Sequence, residues 1–265
     1  MGRWLVLCLL FAGCDTALGL NHFDVDAAPD VDPYAASVLA DRPVAYFPLD
    51  ETSGLAVRDR TGGPDGTILG NVVVGQEPPF PGARHAMRFD GDKGAIDLGD
   101  RFQFVGRAPY SIEVWALLDT LVDGAFYNLA SKWRVRTPTM AASGWNFFYS
   151  LDPAAGSPST TKVGFSRETE AGRLSSVANG HATEHEWHHL VGTFDGIALT
   201  IYVDGVLGES NPSPNALDQL AVHLLLGAGG SPTATVLLGS LGQVAIYDYA
   251  LDPARISAHY HARSP

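Results

Sequence analysis

Residues 185–189 read His-Glu-Trp-His-His and match the H-E-x-x-H pattern of zinc peptidases. In such a site two histidines four positions apart bind one zinc ion and the glutamate acts as the general base. The arrangement requires a helix, because only there do side chains four positions apart lie on the same face. In a strand the same spacing covers about 13 Å. Whether this pentad can do zinc chemistry therefore depends on the element that positions it.

The residues after the pentad predict strands. Apolar side chains recur at every second position, at Ile197, Leu199, Ile201 and Val203. This period of two is typical of a half-buried strand, and the preceding Asp195-Gly196 pair favours a type I′ hairpin turn. We therefore predict that Trp187–His189 enters the first strand of a hairpin. The side chains of His185 and His189 would then diverge, which argues against a zinc site and indicates surface histidines at a strand start.

The N-terminus resembles a secretory signal. Arg3 precedes an apolar run from Trp4 to Ala12 that is too short to span a bilayer. Residues 11–14, Phe-Ala-Gly-Cys, resemble a bacterial lipobox, although Phe11 departs from the usual leucine. We expect residues 1–13 to be the signal peptide and Cys14 to be lipidated, which predicts a secreted lipoprotein anchored in the cell envelope or at the cell surface. An ordinary signal peptide that contains Cys14 is the alternative.

Composition narrows the remaining functions. The 265 residues carry a formal net charge of −12, which disfavours binding to nucleic acid and to anionic bilayers. We therefore expect membrane contact only through the lipid anchor. Residues 14–33 are rich in Asp and Ala and are predicted to form a flexible acidic tether. A calcium chelate in that segment is the less favoured alternative, because no glycine turn or bidentate glutamate accompanies the acids.

From Pro43 onward, short β-rich runs alternate with turn residues, a spacing typical of an all-β sandwich or barrel. Two short helices are predicted in addition. One lies near Pro33 to Ala40, and the other begins after Asp252, which can cap it, with Pro253 at its first position. Residues 34–265 are long enough to form one domain that is stabilised by burial without disulfides.

Several segments together resemble a laminin G-like domain of the concanavalin A-like lectin/glucanase superfamily. They are residues 43–51, 87–91, 111–115, 187–196, 202–205 and 244–251. The resemblance covers about residues 34–262 and implies a jelly roll of two antiparallel sheets. Because the same scaffold carries lectins, adhesion modules and enzymes, the resemblance leaves the function open.

Catalytic patterns are not evident in the sequence. Glucanases of this superfamily place carboxylates on one strand face in an E-x-D-x-x-E arrangement, since retaining hydrolysis needs two carboxylates about 5 Å apart. Glu113 is the nearest acidic strand residue, but it has no partner on its own face. We interpret it as an exposed position between buried Ile112 and Val114. No G-x-S-x-G elbow occurs either. The sequence therefore predicts a protein that is not an enzyme.

The resemblance also implies a structural calcium ion where the first strand, a Phe-Asp-Gly segment and the last strand meet. Asp50, Asp90 and Asp92 are the corresponding acids in this sequence. Gly242-Gln243 stands where an acidic pair commonly precedes the final strand's valine, which weakens the ligand set. Solvated turn acids are the alternative for Asp90 and Asp92.

Sugar recognition needs exposed aromatic faces next to hydrogen-bonding groups. The richest region contains Trp133, Arg134, Arg136 and Asn146, and these are the predicted ligand-binding residues. Trp145, Phe147 and Tyr149 alternate and indicate a core face, and a single exposed Trp133 without a function is an alternative.

Together these features predict a non-catalytic extracytoplasmic module that binds a glycan or a cell-surface protein. The alternatives are a glycan-active hydrolase or accessory module with an unrecognised carboxylate pair, and a structural envelope protein without a ligand site.

Overall fold

The computed structural model describes residues 32–120, 126–140, 142–152, 160–179 and 182–263. These residues form fourteen strands and two helices. The elements in chain order are α1 (Pro33–Ala40), β1 (Ala45–Phe47), β2 (Ala56–Val57), β3 (Gly66–Gln76), β4 (Ala86–Asp97), β5 (Tyr110–Leu118), β6 (Phe126–Arg134), β7 (Ser143–Asp152), β8 (Thr160–Glu168), β9 (Leu174–Asn179), β10 (Trp187–Phe194), β11 (Ala198–Val203), β12 (Val206–Pro212), β13 (Leu225–Leu226), β14 (Leu238–Tyr247) and α2 (Pro253–His261). The predicted signal peptide, Cys14 and nearly all of the acidic tether lie outside the described residues.

The strands form two layers, as predicted for a jelly roll. The first layer follows the order β12-β11-β10-β5-β14-β4, and the second follows β6-β7-β8-β9. The two-residue strand β13 pairs with both β4 and β6 and so connects the layers on one side. All pairings between the named strands are antiparallel. The prediction of an all-β antiparallel sandwich with short terminal helices is confirmed.

The main core lies between the two layers. Ile112 and Val114 of β5 point inward from the first layer, and Trp145, Phe147 and Tyr149 of β7 point inward from the second. All five side chains are almost fully buried. The alternation of Trp145, Phe147 and Tyr149 thus marks a core face, and burial of each large side chain contributes about 1.5–3 kcal/mol.

The two helices cover the outer face of the first layer. Asp32 caps α1 by accepting a 2.9 Å hydrogen bond from the backbone of Tyr34, and Asp252 caps α2 in the same way. Tyr34 and Ile256 pack with Trp115 of β5 in a second apolar cluster on that face. Both predicted helices are confirmed. Within the part of the chain that the structure describes, neither helix has the length and apolar character needed to cross a bilayer.

The hairpin after the pentad is present, but its predicted type I′ turn is wrong. Asp195 keeps a negative φ, and its carboxylate instead accepts the backbone N–H groups of Ile197 and Ala198 at 2.7 and 2.8 Å. Phe194 therefore pairs with Leu199 across a longer loop. A two-residue turn with positive φ at both positions occurs at Asp204-Gly205, which joins β11 to β12.

Candidate functional site

The pentad lies at the start of β10, as predicted, and its outer histidines have different environments. His185 is exposed and precedes the strand, whereas His189 is fully buried within it. Among the described residues no cluster of three or more histidine, cysteine, aspartate or glutamate side chains could hold a metal ion. The expectation of surface histidines is wrong for His188 and His189. His188 is 7% exposed, and its Nδ1 lies 2.8 Å from a carboxylate oxygen of Asp204.

His189 instead contributes to a buried cluster around Glu113. The prediction that Glu113 is exposed is wrong, because α1 and α2 cover the face of β5 on which it lies. Its carboxylate accepts hydrogen bonds from the hydroxyls of Tyr34 and Tyr247 at 2.9 and 2.8 Å. His189 Nε2 lies 2.7 Å from the same carboxylate, and His259 Nδ1 lies 3.1 Å from both of its oxygens.

This cluster keeps Glu113 charged in the protein interior. Burial alone would raise the pKa of Glu113, but hydrogen bonds from His189 and His259 outweigh that effect and hold the pKa well below its usual range. Burial tends to lower the pKa of His259, and the hydrogen bond to Glu113 and the charge of Asp41 raise it above its usual value. Since Glu113, His189 and His259 have no exposed surface, a ligand cannot reach them. The cluster is therefore structural.

The accessible site is a groove on the outer face of the second layer. It consists of two adjoining depressions of about 260 and 190 Å³ that share Phe126, Trp133 and Asn146. Phe126 is 42% exposed, and its ring lies 4.3 Å from that of Phe148, measured between centroids. Phe148 lies directly over Gly164, where the absence of a side chain leaves space for the ring. We call this surface the aromatic groove.

Two amide side chains supply polar groups to the aromatic groove. Asn146 Oδ1 accepts a hydrogen bond from Ser166, and no hydrogen bond of its Nδ2 occurs within the described chain. Asn128 donates to Thr235 Oγ1 at 2.6 Å, whereas its Oδ1 is buried without a partner among the described residues. Buried acceptors normally have a partner, so this oxygen marks a position suited to a bound water. The groove thus combines aromatic rings with an amide donor, Asn146 Nδ2, that has no partner within the described chain.

The structure places the four predicted binding residues in two groups. Trp133 and Asn146, on neighbouring strands, line the aromatic groove together. Arg134 and Arg136 lie at its edge and form ion pairs with Glu170 and Glu168 at 2.6 and 3.3 Å. The arginines are therefore engaged with acids of the chain.

Other groove residues did not stand out in the sequence. Phe126, Asn128 and Phe148 belong to strands β6 and β7, and Glu168 belongs to β8. Phe148 alternates with the core residues Phe147 and Tyr149, which was the available signal that it faces outward. No local pattern indicates that Phe126 lies beside Phe148, because the two residues belong to different strands, β6 and β7.

The three predicted calcium ligands do not meet. Both carboxylate oxygens of Asp50 accept from the same nitrogen, Arg60 Nη2, at 2.9 and 3.1 Å. Asp90 accepts the backbone N–H groups of Asp92 and Lys93 at 2.9 and 3.0 Å, and these bonds help to lower its pKa. The Asp92 side chain is largely exposed. In place of the acidic pair, Gln243 accepts a hydrogen bond from Tyr46. As placed, these residues do not fit one calcium site, and calcium binding stays a prediction.

Comparison with known families supports the fold. Residues 90–257 match the family model Laminin_G_3, described as the concanavalin A-like lectin/glucanases superfamily. That match spans more than half of the chain. The chain belongs to this family. The resemblance drawn from the sequence is thus confirmed for the laminin G-like domain. A search of curated proteins found no match.

Solved structures with the same fold include receptor-binding domains of neurotoxins. The botulinum neurotoxin serotype D binding domain has a TM-score of 0.61 and 12% identity, with 86% of this chain and 53% of that chain covered. The serotype D ligand binding domain in complex with N-acetylneuraminic acid has a TM-score of 0.60 and 12% identity, with 86% and 52% covered. The serotype G binding domain has a TM-score of 0.59 and 12% identity, with 84% of this chain and 51% of that chain covered. This laminin G-like chain therefore spans about half the length of these structures, and the likeness shows the fold.

Proposed function

We propose that this chain is a non-catalytic, extracytoplasmic binding module whose aromatic groove binds carbohydrate. The observation that carries the proposal is the shared position of Trp133, Phe126 and Asn146 in one open groove. A sugar ring offers C–H faces that stack on aromatic rings and hydroxyls that pair with amides. The indole N–H of Trp133, which has no acceptor among the described residues, adds a further donor.

Charge in the groove favours binding over hydrolysis. Both glycosidase mechanisms need two carboxylates flanking the scissile bond. Among the residues that line the aromatic groove, Glu168 is the one carboxylate, and Arg136 pairs with it. The described part of the groove therefore lacks the acid and base pair that a hydrolase would use. This supports the binding module over the glycan-active alternative.

The comparisons suggest which sugars to test first. A similar neurotoxin domain has been solved with N-acetylneuraminic acid. At 12% identity the two chains share the fold, and the position of that sugar does not transfer to residues of this protein. Sialylated glycans nevertheless belong in the first set of ligands, beside neutral ones.

A glycan array on the full chain tests the proposal, performed with added calcium and with a chelator. We expect binding to at least one glycan class, and we expect the Trp133→Ala variant to lose at least tenfold in affinity, because aromatic stacking and a donor are removed together. A requirement for calcium would in addition support a metal site. Trp133→Ala without effect on bound glycans would contradict the groove assignment.

The matched control is Trp187→Ala. Trp187 is also half-buried, but it packs beside the apolar cluster under the helices, away from the aromatic groove. We expect this variant to keep its glycan affinity. Thermal unfolding of both variants separates loss of binding from loss of structure. If the wild-type chain binds no glycan on the array in either condition, carbohydrate is rejected as the ligand and a cell-surface protein partner is favoured.

A further inference from the structure

A second pocket lies on the N-terminal part of the domain. It has a volume of about 410 Å³ and is formed by residues 50–56 together with Arg58, Arg60 and Arg84. We call it the arginine pocket. It shares no lining residue with the aromatic groove. Three guanidinium groups thus border one open pocket in a chain with a net charge of −12.

The carboxylates at this pocket are already engaged. Both oxygens of Asp50 pair with Arg60. Glu51 Oε1 accepts the backbone N–H of Arg58 at 2.8 Å, and Glu51 Oε2 is buried and faces no donor in the described chain. Asp50 therefore offsets the charge of Arg60, and the single charge of Glu51 leaves the three arginine side chains in excess of the two acids.

The side chains of Arg58 and Arg84 are exposed and have no acceptor among the described residues. The hydroxyls of Thr52 and Ser53, which also line the pocket, form no side-chain hydrogen bond there. Guanidinium groups present planar forks of N–H donors that match carboxylate, sulfate and phosphate oxygens. Two such forks and two hydroxyls border the same volume, and the arginine charges there outnumber the carboxylates by three to two.

We propose that the arginine pocket binds an oxyanion, namely a carboxylate, sulfate or phosphate group, with Arg58 and Arg84 as its main partners. The overall negative charge of the chain repels anions, so non-specific accumulation at this surface is disfavoured. Saturable binding would therefore report the local excess of positive charge. The proposal does not depend on the aromatic groove or on its ligand.

Nuclear magnetic resonance titration of the full chain tests this proposal. Inorganic phosphate, inorganic sulfate and glucuronate are added at constant ionic strength, because screening alone would otherwise change the shifts. We expect saturable shifts confined to residues 52–58 and 84, with dissociation constants in the millimolar range. The double variant Arg58→Gln/Arg84→Gln should bind at least tenfold more weakly.

The matched control is Arg42→Gln/Arg173→Gln. Both residues are exposed and lie outside the arginine pocket, and their removal changes the net charge by the same amount. We expect its affinity to stay within about twofold of wild type, as remote surface charges are screened.

The three probes separate the source of the anion. If glucuronate binds more tightly than both inorganic ions, the natural ligand is an oxyanion carried by a sugar. If all three bind equally, the natural ligand is a free ion. Both results support the proposal. Absence of saturable shifts with all three probes would overturn it. An equal loss in the control variant would overturn it as well, because the response would then follow net charge.

Discussion

Glu113 lies between Ile112 and Val114 on β5, and its carboxylate contacts side chains from four other elements, α1, β10, β14 and α2. A buried charge is tolerated only when it is paired and hydrogen-bonded. The two histidines and two tyrosines meet that requirement. Glu113, which the sequence predicted to be an exposed strand residue, therefore joins both helices to the sheet.

Replacing Glu113 with Gln is expected to lower the free energy of unfolding by about 3–5 kcal/mol, since the buried cluster of His189, His259, Tyr34 and Tyr247 loses its charged hydrogen-bond partner. Urea denaturation at neutral pH measures this difference. Glu77→Gln, at an exposed position without side-chain partners among the described residues, is the control and should change stability by no more than about 0.5 kcal/mol. Similar stabilities of the two variants would show that the cluster is not important for folding.

Gly164 has a comparable role under the aromatic groove. A Cβ atom at this position would lie 2.2 Å from the ring of Phe148. Gly164→Ala is therefore expected to displace Phe148, to weaken glycan binding, and to destabilise the domain by about 1–3 kcal/mol. Gly242→Ala is the control, because its Cβ would have its nearest neighbour at 3.5 Å. Binding assays and thermal unfolding measure both effects, and unchanged glycan affinity in Gly164→Ala would contradict the role of Phe148.

Helix α2 is attached to the sheet through His259. Its Nδ1 faces Glu113, and its Nε2 lies 3.0 Å from Asp41 Oδ2, an ion-pair distance without hydrogen-bond alignment. Arg255, from the same helix, pairs with Asp41 at 2.7 Å. The hydroxyls of Tyr34 and Tyr247 and the ring of His189 complete the surroundings of Glu113. The imidazole of His259 thus lies between two carboxylates and attaches α2 to the sheet.

This arrangement predicts a pH dependence of stability. The folded-state pKa of His259 is raised, so its contribution is fully present below the unfolded pKa and decreases as pH rises through the folded value. The pKa of Glu113 is lowered, so its contribution is present above the unfolded pKa and decreases as pH falls toward the folded value. Stability should therefore be greatest between these two limits.

Urea denaturation from pH 5 to pH 9 tests the alkaline limit, across the ordinary histidine pKa of about 6.5. We expect the free energy of unfolding of the wild type to decrease above that pH. In His259→Gln this decrease should be absent. His261→Gln is the control, since His261 is an exposed residue of the same helix. A decrease of equal size in His259→Gln would exclude His259 as its source.

On the scale of the whole molecule, the two outer faces of the sandwich differ in accessibility. The helices cover the outer face of the first layer and bury Trp115 and Glu113, whereas the second layer leaves the aromatic groove open. A ligand site is therefore expected on the uncovered layer. The proposed location of this domain outside the cytoplasm depends on residues 1–14, beyond the described part of the chain.

Replacing Cys14 with Ser tests that location. If Cys14 carries the lipid, we expect the variant to move from the membrane fraction to the soluble extracytoplasmic fraction, because the proposed anchor is the acyl chains. Cys8→Ser is the matched control, since Cys8 lies in the predicted signal peptide and should not affect anchoring. Cell fractionation with immunoblotting measures the distribution. A soluble wild-type protein would reject the lipobox and favour an ordinary signal peptide.

Local patterns were sufficient to predict the elements of this protein. The period of two in β7 and β11 and the capping pair Asp252-Pro253 each depend on residues within a few positions of one another. The sequence alone therefore determined the all-β class, the β10–β11 hairpin, both helices, the core face of Trp145, and the family. It also predicted that Trp133 and Asn146 lie in one region, and the structure brings them to one groove.

Tertiary structure alone decided which faces are covered and which polar groups meet. Glu113 and His189 are 76 residues apart, and Glu113 and His259 are 146 apart, so no local period predicts their contacts. Phe126 and Phe148 likewise meet through pairing of β6 with β7. Alternation along a strand distinguishes its two faces, but it does not show whether a helix from a chain terminus packs over one of them. That packing buries Glu113 on the first layer, whereas no described helix packs over the groove face, where Trp133 is half-buried.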